Sequence, residues 1–134
     1  MESVHVMVAI IRDAAGRFLI SQRSPGAHMA GAWEFPGGKK GADETPLAAL
    51  ERELAEELGI AIVSAEPFIE ISHAYADRRV WLDVWVVRDY TGKPAPREGQ
   101  PLRWVGVEEL LDVGLLEADR PIVTALKERL SPTP

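Results

Sequence analysis

Gly37-Gly38-Lys39-Lys40-Gly41-Ala42-Asp43-Glu44-Thr45-Pro46, running on through Leu47-Ala48-Ala49-Leu50-Glu51-Arg52-Glu53-Leu54-Ala55-Glu56-Glu57-Leu58-Gly59-Ile60, decides how the rest of the chain is read. A glycine-rich loop here feeds a short helix. Thr45 is placed to cap it, and Pro46 falls at the first helical position, where a missing N–H costs nothing. Gly59 follows the last apolar residue, where a left-handed closing residue is wanted. Leu47, Leu50, Leu54 and Leu58 recur at steps of three and four and predict one narrow core-facing stripe. The acids resist so simple a reading. Glu53, Glu56 and Glu57 crowd into an arc of about 100° beside that stripe. Glu53 and Glu57 are a like-charge i,i+4 pair, and all three lie at the helix end whose dipole favours cations. No lysine or arginine stands four residues after any of them. A solvated acidic face would explain one such glutamate. Three, set against both preferences, predict a bound cation.

The remainder of the chain sets bounds on that idea. With 134 residues it has the length of one domain, expected over 1–130, with Ser131-Pro132-Thr133-Pro134 as a loose tail. A net charge of -6 advertises no basic surface, so a nucleic-acid polymer is not an expected partner. A small phosphorylated substrate stays possible, because local arginines and a bridging metal can offset its charge. The absence of cysteine excludes disulfides, thiolate metal sites and thiol catalysis. No apolar run approaches membrane-spanning length and the first residues lack a signal-peptide pattern, so no membrane partner and a cytoplasmic location are expected.

In chain order, Val4 to Ile11 reads as a buried strand, and Arg17 to Gln22 as a second strand paired to it across the Asp13-Ala14-Ala15-Gly16 turn. Arg23 to Gly31 is a loop by composition. Trp33 to Pro36 is a short extended piece ahead of the acidic helix. Ile60 to Ala65 opens the next connection, and Pro67 to Ala74 is a strand. Val80 to Arg88 has apolar residues on both faces and predicts an interior strand, with Trp81, Trp85 and Trp104 in the core. Gly92 to Pro101 is a loop, Leu102 to Val107 a short strand, and Glu108 to Leu111 a helical turn. Asp119 caps a final helix through Leu130, with Ile122, Val123, Leu126 and Leu130 on its apolar face. Strands mixed with two main helices predict a mixed sheet between helix layers.

The opening stretch resembles the Nudix box at every specified position: Gly38, Glu44, then Arg52-Glu53-Leu54-Ala55-Glu56-Glu57-Leu58-Gly59-Ile60 at the required spacings. His28-Met29-Ala30, Trp33 to Lys39, Asp77-Arg78 and Glu98-Gly99-Gln100-Pro101 are similar to the MutT branch of that family, the 8-oxo-dGTP diphosphatases. The resemblance implies an α/β/α sandwich with a mixed β-sheet between helices. It implies hydrolysis of a nucleoside triphosphate to the monophosphate and diphosphate, with Mg²⁺ (or Mn²⁺) as cofactor and water attacking the β phosphorus. By the same analogy Glu53, Glu56, Glu57, Glu98 and the Gly37 carbonyl are metal ligands, and Glu53 leads as general base. Arg52, reaching Glu53, and Glu44, closing an ion pair within the box, support them. Hard oxygen ligands are what Mg²⁺ prefers. A monomer is expected, with a dimer left open.

Arg23 and Lys39 are phosphate candidates, as a planar fork and a point charge respectively. His28 is expected to line or gate the substrate loop. Glu34, Phe35, Tyr75, Asp77 and Arg78 are candidates for the nucleoside pocket. Asp119 departs from the MutT pattern, which implies an asparagine there to read oxidised guanine. An ionised aspartate only accepts and would repel a guanine O6 unless burial protonates it. An acid also suits the exocyclic amine of cytosine, and the related CTP pyrophosphohydrolases look similar with Ala-Asp-x-Pro at this place. The enzyme readings are 8-oxo-dGTP first and CTP or a 5-modified dCTP second, with ADP-ribose or dinucleoside polyphosphates a further alternative that the MutT-like flanks disfavour. A non-catalytic nucleotide sensor is the alternative from another class, and it would tolerate loss of box carboxylates that are all present here.

Overall fold

The computed structural model describes residues 3–129. Leu130 and the expected tail lie outside the described residues. Seven strands run β1 (Ser3–Ile11), β2 (Phe18–Gln22), β3 (Trp33–Glu34), β4 (Gly37–Lys39), β5 (Ala61–Ala74), β6 (Arg79–Thr91) and β7 (Leu102–Val105), with helices α1 (Pro46–Leu58) and α2 (Arg120–Arg129). A mixed sheet has the order β4-β1-β6-β5, in which β1 and β6 are parallel and the outer pairings antiparallel. A smaller antiparallel sheet, β3-β2-β7, completes the strand layer. Leu50, Leu54 and Leu58 of α1 pack against Met7, Ala9 and Leu19, while Ile122, Val123 and Leu126 of α2 pack with Val8, Phe18, Val84 and Val105. The strands thus lie between two helices, as the α/β/α reading requires.

Four local expectations change. β2 does not pair along β1, because β4 and β6 already occupy both edges of β1; a single Arg12–Phe18 bridge is what remains of that hairpin. Gly37–Lys39 is not a loop but strand β4, in register with Val6, Met7 and Val8. β5 begins before Pro67, and this proline is accommodated because β5 is an edge strand with a register shift between Pro67 and Ile69. Trp81 is 38% exposed, stacked on His5 at 3.9 Å with its indole N–H on Glu70, rather than in the core.

α1 forms for the reasons its sequence gives. Thr45 Oγ1 accepts the Ala48 N–H at 3.2 Å, and Gly59 closes the helix at φ 71°. Leu50, Leu54 and Leu58 are fully buried, each contributing about 1.5–3 kcal/mol relative to exposure. Leu47, in the first turn, is 37% exposed, while Ala49 is fully buried in the cluster with Met7 and Leu19. The rigid α1–sheet contact fixes the adjoining acidic face of the helix.

Candidate active site

Arg52 organises that acidic face. Its Nε and Nη2 donate to the two Glu44 carboxylate oxygens at 2.6 and 2.9 Å, and its Nη1 donates to Glu53 Oε1 at 2.9 Å. Nη2 also reaches the Lys39 carbonyl at 3.0 Å, tying helix to β4. A weaker contact at 3.4 Å runs from Nη1 to Glu56 one turn along, a pairing that the sequence reading of Arg52 did not include. The Arg52 hydrogen bonds, helped by the Gly41 N–H, hold the Glu44 carboxyl down to about 2. The guanidinium is therefore a fixed brace for Glu53 and has no donor turned to a phosphate cavity.

Behind Glu53, Glu57 is half-buried. Burial first, then a hydrogen bond and charge from Glu53, push the Glu57 carboxyl up to about 9, with the Gly37 backbone pulling the other way. Glu57 keeps its proton beside Glu53 where a cation would let it ionise. Gly38 passes so close that a Cβ there would overlap the Glu53 carboxylate. These observations fit a hard divalent ion: the donors are all oxygen, and the cation that braces Glu53, Arg52, makes no hydrogen bond to Glu57 among the described residues. The cage is not ready-made, since among the described residues no three acidic or histidine side chains converge on one point. Glu57, Gly37 and Glu98 line one cavity of about 210 Å³, Glu53 meets Glu57, and Glu56 is turned outward, 52% exposed, toward Arg52.

Glu98 reaches this cavity because its loop is fastened to the end of α1. The Ala95 N–H donates to the Leu58 carbonyl at 3.0 Å, and the Arg97 N–H and Gln100 Nε2 donate to the Glu57 carbonyl at 3.1 and 2.9 Å. They satisfy carbonyls that the helix end leaves without partners. The Gln100 clamp is a supporting role that sequence reasoning missed. Its only signal was a polar residue beside Glu98 in a proline-rich loop.

A second cavity, of about 230 Å³, shares Arg23, Glu34 and Gly37 with the first. Its apolar wall comes from alternate residues of β1 and β6, among them Val4, Val6, Val80 and Leu82, closed by buried Phe35. Sequence reasoning treated those alternating residues only as core. Lys39 and Arg78 also line it, whereas Asp77 is exposed and absent from the lining. Arg23 stands at the junction, but its guanidinium is already engaged: Nη1 donates to Glu34 at 2.8 Å and Nε to the His28 carbonyl. It frames the loop that carries His28. Burial raises the Glu34 carboxyl despite Arg23 beside it.

Asp119 closes the far end. It is not the helix cap that its position suggested. A short 3-10 turn, Glu117–Asp119, leads into α2, and the Asp119 carboxylate instead accepts the Phe35 N–H at 3.0 Å. At 3% exposure it is driven protonated, chiefly by burial, to about 8; Glu34 adds to the shift, while Phe35 N–H and Arg23 oppose it. A larger hollow of about 630 Å³, between the Asp13–Gly16 turn and α2, contains none of these residues.

The protein can be compared with known ones on this geometry. The 8-oxo-dGTP diphosphatase of Escherichia coli (strain K12) is 36% identical over 127 residues, spanning 95% of this chain and 98% of that protein. The CTP pyrophosphohydrolase of the same organism is 38% identical over 125 residues, spanning 93% and 92%. The solution structure of the E. coli ORF135 protein superposes with a TM-score of 0.84 at 36% identity, over 100% of this chain and 96% of that one. A family model described as NUDIX domain matches residues 7–125, which take in the second half of β1, the braced acidic helix, the Glu98 loop and the first part of α2. The chain belongs to the NUDIX domain family.

Proposed function

We propose that this NUDIX hydrolase removes diphosphate from nucleoside triphosphates with a divalent cation, Mg²⁺ foremost, and that its preferred substrate is 8-oxo-dGTP, cleaved by water attack at the β phosphorus. The observation that carries the substrate reading is Asp119, buried at the end of an apolar cavity that shares Arg23, Glu34 and Gly37 with the cavity lined by Glu57 and Glu98, its carboxyl pushed up to about 8. A carboxylic acid both donates and accepts. Because Oδ2 accepts the Phe35 N–H, the proton belongs on Oδ1, which can donate to a base carbonyl such as O6. The objection to an acceptor-only aspartate is thereby removed at neutral pH.

Phe35, Val80 and Leu82 form the apolar sides for a flat base, and Lys39 of β4 lines the same cavity. Glu53, held by Arg52, is the group that takes the proton from the attacking water; Glu56, Glu57, Glu98 and the Gly37 carbonyl join it as cation ligands. When bound, the cation offsets phosphate charge and acidifies a water. Arg52 and Glu44 act by fixing Glu53.

Kinetics on a panel of triphosphates test the reading. The highest kcat/KM is expected for 8-oxo-dGTP; a preference for CTP or 5-hydroxy-dCTP would replace it with the second reading, which the relative of that activity and the acid at 119 favour. The two are linked by pH. Below about 8 neutral Asp119 donates to a carbonyl, and above it the ionised group only accepts and favours an amine. The selectivity for 8-oxo-dGMP over dCMP, measured as a ratio of Kd values without metal, is therefore expected to fall as pH rises toward 8. In Asp119→Asn that fall should vanish.

The same variant has a stability signature. An acid whose folded pKa is raised keeps its proton in the fold while the unfolded chain loses it, so its penalty grows from about pH 4 to about pH 8. At about 1.4 kcal/mol per pH unit as an upper slope, Asp119→Asn should gain about 2–4 kcal/mol at pH 7.5 and little at pH 4.5. Urea melts at the two pH values check it; an equal gain at both would show that titration is not the cause.

A further inference from the structure

Two buried polar atoms in the base cavity have no hydrogen-bond partner among the described residues, the hydroxyl of Tyr75 and Nε2 of His28. They belong to neighbouring rings, packed edge to face with centroids 5.0 Å apart. Tyr75 is held from behind by His73, at 4.6 Å, and by its own N–H on the Arg78 carbonyl at 2.7 Å. The ring is thus fixed where it stands. A buried hydroxyl without a partner is a cost in the empty protein, and such groups are uncommon in native structures. Both residues line the cavity that Asp119 closes.

We propose that the Tyr75 hydroxyl is a specificity-determining group that donates a hydrogen bond to an acceptor oxygen of the nucleobase, beside the contact made by Asp119. The inference rests on the nucleotide reading above. A neutral phenol donates better than it accepts, since the ring withdraws its lone pair. Burial, with the charges of Asp119 and Glu117 near it, raises the Tyr75 hydroxyl above its ordinary value; Arg23 and the Ala118 N–H act in the other direction without a hydrogen bond of normal geometry to the oxygen. The proton therefore stays available to a ligand. His28 Nε2 is free to take either role by tautomer. A cavity with donors at Tyr75 and Asp119 suits a keto base better than an amino base.

The test is Tyr75→Phe, which keeps the ring and deletes the orphaned oxygen. Affinities are measured by calorimetry without metal for 8-oxo-dGMP and for dAMP, and with Mg²⁺ for inorganic diphosphate as a probe without a base. The variant is expected to bind 8-oxo-dGMP about tenfold more weakly, the loss that one neutral hydrogen bond predicts. Its diphosphate affinity should stay within about twofold, and dAMP should lose less than 8-oxo-dGMP. The ligand-free variant should melt at or above the wild-type temperature, because an unsatisfied group has gone. Equal 8-oxo-dGMP affinity in the two proteins would overturn the role of Tyr75 while leaving the nucleotide reading intact. A lower melting temperature would also overturn it, by showing that the hydroxyl has a partner within the protein. A wild-type protein that binds diphosphate but none of the nucleotides would overturn the nucleotide reading itself.

Discussion

Glu57→Gln is expected to lower kcat/KM by about a thousandfold or more, and at the same time to make the metal-free protein more stable. The two effects share one cause. Burial and the neighbouring Glu53 push the Glu57 carboxyl to about 9, so at neutral pH the fold carries an acid that it must keep protonated. A glutamine is neutral without that cost, yet it cannot offer a cation an anionic oxygen. The sign follows from linkage: a raised carboxyl pKa means stability is lost as pH climbs from about 4.5 toward 9, and the substitution restores it over that window. Steady-state kinetics at saturating Mg²⁺, and melts in chelator at pH 7.5, read the two effects. Undiminished activity would remove Glu57 from the ligand set, and a less stable variant would mean its charge is already compensated. A corollary concerns the wild type, in which the cation must displace a proton. Apparent Mg²⁺ affinity should rise with pH by up to about tenfold per unit until Glu57 is ionised.

Gly37→Ala should produce the largest loss of stability, about 3 kcal/mol or more. Its φ of 150° lies where side chains are strained, and a Cβ would overlap the Met7 carbonyl oxygen. That oxygen is backbone within the β4–β1 ladder, where Val8 faces Gly37 and Met7 faces Gly38, so neither strand can move aside without breaking the pairing. Gly38→Ala makes an informative contrast. Its Cβ would strike the Glu53 carboxylate, the far end of a flexible side chain. That variant should fold with a small stability change and lose most of its activity, since Glu53 must leave its place on Arg52. Urea melts with parallel kinetics separate the pair. A Gly37→Ala protein as stable as wild type would mean that β4 can leave the sheet without loss.

The difference between those neighbouring glycines also shows what could be read from the chain. The spacing from Gly38 through Glu44 to Ile60 gave the helix, its cap, its closing glycine and its acidic face, because each depends on residues a few positions apart. The β6 strand was equally legible, its apolar residues on both faces matching an interior place between β1 and β5. Pairing was not. That β4 rather than β2 lies along β1 depends on a competition for the two edges of one strand, which no local pattern records. Asp119 shows the same limit at the site. Its sequence context suggested a cap, while its actual partner, the Phe35 N–H, lies 84 positions away. Its raised pKa follows chiefly from that burial. Arg23 looked free for phosphate until Glu34 and His28 were seen to hold it.

The loop that carries Glu98 has Pro94, Pro96 and Pro101 and no regular structure, yet its Ala95 and Arg97 amides are bound to the last carbonyls of α1. Their exchange with deuterated solvent should follow the opening of the helix end, and should be slow for a surface loop. Fraying of α1 would release Glu98 in the same event that displaces Glu57. The two walls of the cation cavity therefore open and close as one unit, and a substitution that frays the helix at Leu58 or Gly59 should loosen both.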